Sequence, residues 1–259
     1  MTIIHQLIRL YNSLPPGNTY RNLISILLEN IDRVPLSSLE EMSEICCCST
    51  ITINRLLKKI NCSSFRAFKD EIRNILYGYE KFNRPLPYGA LSAADMEGSY
   101  LSFLTAQLHE LPLRLKPGVI DAACAAIHQA GDIHIYCEYA TGHSKQQFQM
   151  DLMLHGKHVD AFSEIHEQIQ DAQKLSASSI VIATSSTILQ YYPTHLMLMK
   201  DIHIRNIPTI IIAPYATPKA EKYAGYLLEY PGSETAMDNY MVDIIFNFLC
   251  ITYRAKYID

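Results

Sequence analysis

Apolar residues recur every three to four positions through the first third of the chain, then give way to short unbroken apolar runs. The first pattern is helical. Helices are expected over 3–13 and 19–30, with Tyr20, Leu23, Ile24, Leu27, Leu28 and Ile31 on one stripe and Pro15-Pro16-Gly17 separating the two. A third helix is expected from Ser38 to Ile45, followed by a turn at Cys46-Cys47-Cys48. Ser49 stands where an N-cap is wanted, its hydroxyl able to accept from the backbone N–H of Ile51 or Thr52. The helix it opens runs from Thr50 to about Ile60, burying Ile53, Leu56, Leu57 and Ile60, and Asn61 stops it because Asn tolerates a left-handed conformation. Phe65, Phe68, Ile72 and Ile75 mark one more amphipathic helix, and Gly78, Pro85, Pro87 and Gly89 then break every period.

Beyond Ala94 the pattern changes. Helices at 96–111 and 119–129 precede the apolar strand 132–137; a helix at 142–155, a strand near 157–162 and a helix at 164–174 follow. Strands at 179–183, 209–213 and, more weakly, 226–229 alternate with helices at 191–205 and 235–256. Short buried strands alternating with helices mean a parallel sheet covered on both faces. The expected fold is therefore an all-α N-terminal helix-turn-helix domain (1–77), a linker (78–93), and an α/β three-layer domain with a parallel sheet (94–259).

Composition sharpens this picture. The chain of 259 residues is 49% hydrophobic and 19% charged, with a net charge of −4. Residues 1–77 carry nine Lys/Arg against seven Asp/Glu, while the remainder is acidic. Such an asymmetry suits a nucleic-acid-binding head on an acidic body. The seven cysteines form no paired framework and no CxxC, which points to a reducing, cytoplasmic compartment. Met1–Leu10 is no signal peptide, and the apolar run at 241–251 contains Asp243 and Asn247, so no membrane span is expected.

Two places carry chemistry. On the helix opened by Ser49, the face opposite the buried stripe shows Ile51, Arg55 and Lys58, with Thr50, Thr52, Asn54 and Lys59 beside them. From Ser49 to Lys69 there are five cations and no carboxylate, whereas the preceding helix carries Glu40, Glu41 and Glu44. A basic helix after a tight turn is the element that enters a DNA major groove, the alternative being a solvated helix in an ordinary bundle. In the body, ligands of parallel sheets sit at the carboxyl ends of strands beside helix N-termini. The loops there are Cys137–Ser144, with Thr141 and Ser144, and Thr184-Ser185-Ser186-Thr187. These hydroxyls suit phosphate or sugar oxygens, although hydroxyl clusters also arise as caps and turns. The ten histidines are scattered, and His155 and His158 straddle a helix end; no metal site, cofactor or catalytic residue is expected.

These residues resemble the RpiR-type bacterial transcription regulators, in which a helix-turn-helix is joined to a SIS (sugar isomerase) domain. In the head, Ser49, Thr52, Arg55, Lys58, Lys59, Phe65 and Lys69 fall in the register of the family's S-x-x-T-x-x-R-x-x-K-K…F…K pattern, with Cys47 and Asn61 where glycine is usual. In the body, Gly156-Lys157 sits at the family's distance from the first loop. That loop's G-x-G-x-S is Cys137-Glu138-Tyr139-Ala140-Thr141, and the second loop's S-x-S-G-x-T is Thr184-Ser185-Ser186-Thr187-Ile188-Leu189, so the hydroxyls are kept and the glycines lost. The resemblance implies a sequence-specific DNA-binding regulator of sugar or amino-sugar metabolism, not an enzyme. It implies a homodimer or tetramer on a double-stranded operator, and a sugar-phosphate effector held by Thr141, Ser144, Thr184, Ser185, Ser186 and Thr187. The alternatives are a regulator whose SIS domain only dimerises or binds a different small ligand, and a sugar-phosphate isomerase.

Overall fold

The computed structural model describes residues 3–82, 95–137, 143–184, 193–215, 217–233 and 235–259, the side chains of 77–82 and 193 excepted. The chain divides into two compact units, Met1–Phe82 and Asn83–Asp259.

The N-terminal unit is helical: α1 (Ile3–Ser13), α2 (Thr19–Glu29), α3 (Leu39–Ile45), α4 (Thr50–Lys59) and α5 (Phe65–Phe82). One core forms where their apolar stripes meet, with Leu7, Ile24, Leu27, Met42, Ile53, Leu56, Leu57, Phe68 and Ile72. Each turn is set by local chemistry. Asn18 caps α2 by accepting from the Tyr20 and Arg21 amides. Ser38 and Glu41 form a reciprocal capping box on α3. Ser49 caps α4 by accepting from the Thr52 N–H at 3.2 Å. Asn61 ends α4 with φ at 53°, and Cys47 takes φ 48° in the α3–α4 turn, a region that costs a residue with a Cβ. The helix α5 continues to Phe82, past the expected break at residue 77. Gly78 only weakens a helix, and no proline stands between Phe65 and Pro85.

The second unit holds α6 (Met96–Arg114), α7 (Val119–Gln129), β1 (Asp132–Tyr136), α8 (His143–Leu154), β2 (His158–Phe162), α9 (Ile165–Ala172), β3 (Ser179–Thr184), α10 (Pro193–Ile204), β4 (Thr209–Pro214), α11 (Pro218–Tyr223), β5 (Tyr226–Tyr230) and α12 (Met237–Tyr257). Its five strands are all parallel, in the order β2-β1-β3-β4-β5. Alternation along each strand separates two cores. Ile133, Ile135, Ile180, Ile182, Ile210 and Ile212 face α6, α7, α8 and α12, packing on Phe148, Phe246 and Leu249. Tyr136, Val181, Ala183, Ile211 and Ala213 face α9, α10 and α11. The helix α11 had not been expected from the sequence. Its signal was Thr217 before Pro218, a capping hydroxyl followed by proline at the first helical position, and Thr217 does accept from the Ala220 amide.

Candidate functional site

A 2-1-3-4-5 strand order reverses direction between β1 and β3, and the crevice outside the carboxyl ends of those two strands is where such sheets bind ligands. The register pairs Tyr136 with Ala183, so the ends of β1 and β3 lie side by side. The chain leaving β1 enters α8, and its first turn, His143-Ser144-Lys145, stands at this edge.

Ser144 and Thr184, both expected from the sequence, are buried there. Thr141, Ser185, Ser186 and Thr187, together with Glu138 and Tyr139, fall outside the described residues. Two described residues of this edge were missed. Lys145 is only 7% exposed, and its ammonium donates to the Ser163 hydroxyl, just beyond β2, at 3.3 Å. A nearly buried lysine is uncommon, and a cation in the first turn of a helix opposes the helix dipole. An anion arriving at the sheet edge would relieve both costs. That sign was readable in the sequence as a lysine placed directly after a hydroxyl-rich loop. Asp243, on α12, accepts from the Ser144 side chain and backbone. Burial pushes its carboxyl above the usual range, against the opposing pull of the Ser144 bonds and of His143. One of its oxygens is buried with no hydrogen-bond partner among the described residues.

In the N-terminal unit, Ser49, Ile51, Asn54, Arg55, Lys58 and Lys59 are exposed on α4, and Thr50 and Thr52 are half-buried. Lys59 lies over the Tyr20 ring, 5.1 Å from its centroid. The consecutive cysteines separate in environment: Cys46 is buried in the core and Cys47 is exposed.

No protein-family model matches the sequence, and no curated protein matches it. Solved structures do resemble it. The NanR protein of Vibrio vulnificus, solved with ManNAc-6P, is 14% identical, with a TM-score of 0.54 over 99% of this chain and 93% of that one. The sugar isomerase domain of an RpiR transcription factor from Sphaerobacter thermophilus is 14% identical, at 0.53 over 62% of this chain and 91% of that one. A phosphoheptose isomerase from Francisella tularensis is 15% identical, at 0.53 over 64% of this chain and 100% of that one. These likenesses show a shared fold: the sheet-bearing unit is folded as SIS domains are.

They also correct two expectations. A sequence-specific DNA-binding transcription regulator without enzymatic activity was expected, yet a phosphoheptose isomerase matches the sheet-bearing unit as well as the RpiR domain does. The physical reason is that the layered parallel sheet is common to sensing and catalysis, and the loops at its edge decide between them. Helical head and basic helix thus do not exclude an enzyme, and the main reading gives way to the alternatives, a SIS domain that only dimerises or binds a different small ligand and a sugar-phosphate isomerase. Among the described residues no helix is long and apolar enough to cross a membrane.

Proposed function

We propose that the sheet-bearing unit binds a phosphorylated sugar at the carboxyl edge of β1 and β3, with Lys145 and Ser144 on the phosphate side. The observation that carries this is the buried Lys145 ammonium in the first turn of α8, at the point where the strand order reverses. Its only described partner is a neutral hydroxyl. Thr141, Thr184, Ser185, Ser186 and Thr187 would supply hydroxyls to the sugar and ester oxygens. NanR's complex with ManNAc-6P lends support from a protein of the same fold. The test is a thermal shift across sugar phosphates and the same sugars without phosphate, since a ligand that binds only the native state raises the melting temperature. Stabilisation by the esters alone is expected; equal response to the free sugars would remove the phosphate from the reading.

A second reading, aldose–ketose isomerisation of the bound ester, is favoured by Asp243. Isomerisation moves a proton between adjacent carbons, and the base that does so works best with a pKa near the operating pH. Asp243 is shifted in that direction and is bonded to the same turn as Lys145. Turnover followed by proton NMR in deuterated water separates binding alone from isomerisation, which exchanges the carbon-bound hydrogen.

For the N-terminal unit, the reading is that α3, the Cys46–Cys48 turn and α4 form a helix-turn-helix, and that its partner is double-stranded DNA. Ser49, Thr50, Ile51, Thr52, Asn54, Arg55, Lys58 and Lys59 would make the contact. The exposed, carboxylate-free face of α4 supports this, as does the acidic α3 beside it. Exposed Met150, Met153 and Leu154 on α8 and Ile251 on α12 support self-association through the sheet-bearing unit.

A further inference from the structure

On the face of the sheet covered by α9, polar side chains occupy places that the alternation reserves for the core. His134 in the middle of β1 is 4% exposed, and Asp171 on α9 is 5% exposed. Asp160 on β2 is the register partner of His134. One ligand-capable atom from each of the three lies within 4.8 Å of the other two. His134 Nδ1 is 2.7 Å from Asp171 Oδ2, and its Nε2 is 3.1 Å from Asp132 Oδ2. The Tyr136 hydroxyl donates to the same Asp171 oxygen at 2.7 Å.

Charge makes this set unusual. Three carboxylates, Asp132, Asp160 and Asp171, surround a single imidazole. Two other cationic side chains stand nearby: Arg205 holds the Ala172 and Leu175 carbonyls, and the exposed His158 reaches Asp160 only at 3.9 Å. Asp160 and Asp171 approach each other with no donor described between them. Like charges this close to a buried imidazole call for a further positive charge.

We propose that His134, Asp160 and Asp171 form a binding site for a divalent first-row transition-metal cation. One imidazole nitrogen and two carboxylate oxygens leave further positions for water, a donor set suited to Zn²⁺ or Mn²⁺ and poor for Ca²⁺. The outer groups are already placed. With a metal on Nδ1, Asp132 would accept from Nε2–H, and Tyr136 steadies Asp171. On binding, the proton between Nδ1 and Asp171 leaves to solvent and the cation takes its place. The half-exposed Asp160 side chain gives the way in. The site joins two strands and a helix, β1, β2 and α9, on the sheet face opposite α8. It is independent of the sugar-phosphate reading.

The test begins with protein stripped by a chelator, then titrated with Zn²⁺, Mn²⁺ and, as a control, Mg²⁺, with calorimetry and melting temperature as readouts. One saturable equivalent of Zn²⁺ with a higher melting temperature is expected, and little response to Mg²⁺. The half-exposed position makes Asp160→Asn the variant that keeps its fold; it should lose at least ten-fold in affinity, and His134→Gln should lose binding altogether. Titration with Co²⁺ distinguishes this site from the seven cysteines, because thiolate ligands give an intense near-ultraviolet charge-transfer band and nitrogen–oxygen ligands do not. No saturable binding, wild-type affinity in Asp160→Asn, or a thiolate band accompanying the bound equivalent would each overturn the proposal.

Discussion

Replacing Lys145 by methionine separates a ligand-holding lysine from a structural one. The side chain is 7% exposed and, among the described residues, its ammonium meets one hydroxyl, that of Ser163, at 3.3 Å. Taking an ammonium out of water costs several kcal/mol, and one neutral hydrogen bond recovers only about 1 kcal/mol of it. Methionine fills nearly the same volume without the charge. Lys145→Met should therefore melt no lower than the parent protein when no ligand is present. A charge-assisted contact to phosphate contributes about 1.5–3 kcal/mol. At about 1.4 kcal/mol per decade, the variant should bind a sugar phosphate roughly ten- to a hundred-fold more weakly. The assay is calorimetric titration beside a melting curve on the same preparation. A variant that melted several degrees lower yet bound the ester as the parent does would show that Lys145 supports the fold and never meets the phosphate.

Other expectations can be checked more briefly. Cys47→Gly should stabilise the N-terminal unit by about 1 kcal/mol, because glycine adopts positive φ without the Cβ penalty; chemical denaturation measures it, and a loss of stability would contradict the strain. Arg55→Ala should weaken binding to duplex DNA by about 1–3 kcal/mol in a gel-shift titration, and unchanged binding would take α4 out of the contact. Charging the exposed surface with Met153→Asp and Leu154→Asp together should turn an associated species into a monomer on a sizing column; an unchanged elution volume would place the interface elsewhere. The carboxyl of Asp243 protonates more readily folded than unfolded, so stability should fall as pH rises from 3.8 through its higher folded value. Asp243→Asn should remove that fall, which melting curves across pH would register.

Much of the architecture was legible because burial dictates it. Runs such as Ile180-Val181-Ile182 have no polar face and so declare a strand covered on both sides, and the stripe Ile53, Leu56, Leu57 and Ile60 declares a helix lying on a core. Caps were readable for the same reason: Ser49 and Asn61 act at the positions where backbone groups need them. The sites were less legible. Lys145 and Asp243 lie almost a hundred residues apart in sequence and meet the same turn only because α12 folds back along α8. His134 reads as one polar break in an apolar strand, and nothing local announces that β2 will set Asp160 beside it and α9 will set Asp171 over it. Catalysis against binding was not legible at all, since the same sheet carries both in other proteins.

The strand order also governs how the chain can assemble as it is made. The N-terminal helices contact neighbours close in sequence, and such contacts form early and quickly. The first strand must wait. Asp132 pairs with His158 on one side and with Ser179 on the other, so β1 emerges with both flanks unpaired until α8 and β2 have followed it. Throughout that interval Ile133 and Ile135 lie open to solvent on a strand with two free edges, the condition under which nascent sheets aggregate. The polar places on β1, Asp132 and His134, then act as gatekeepers of the newborn strand before they become part of anything folded.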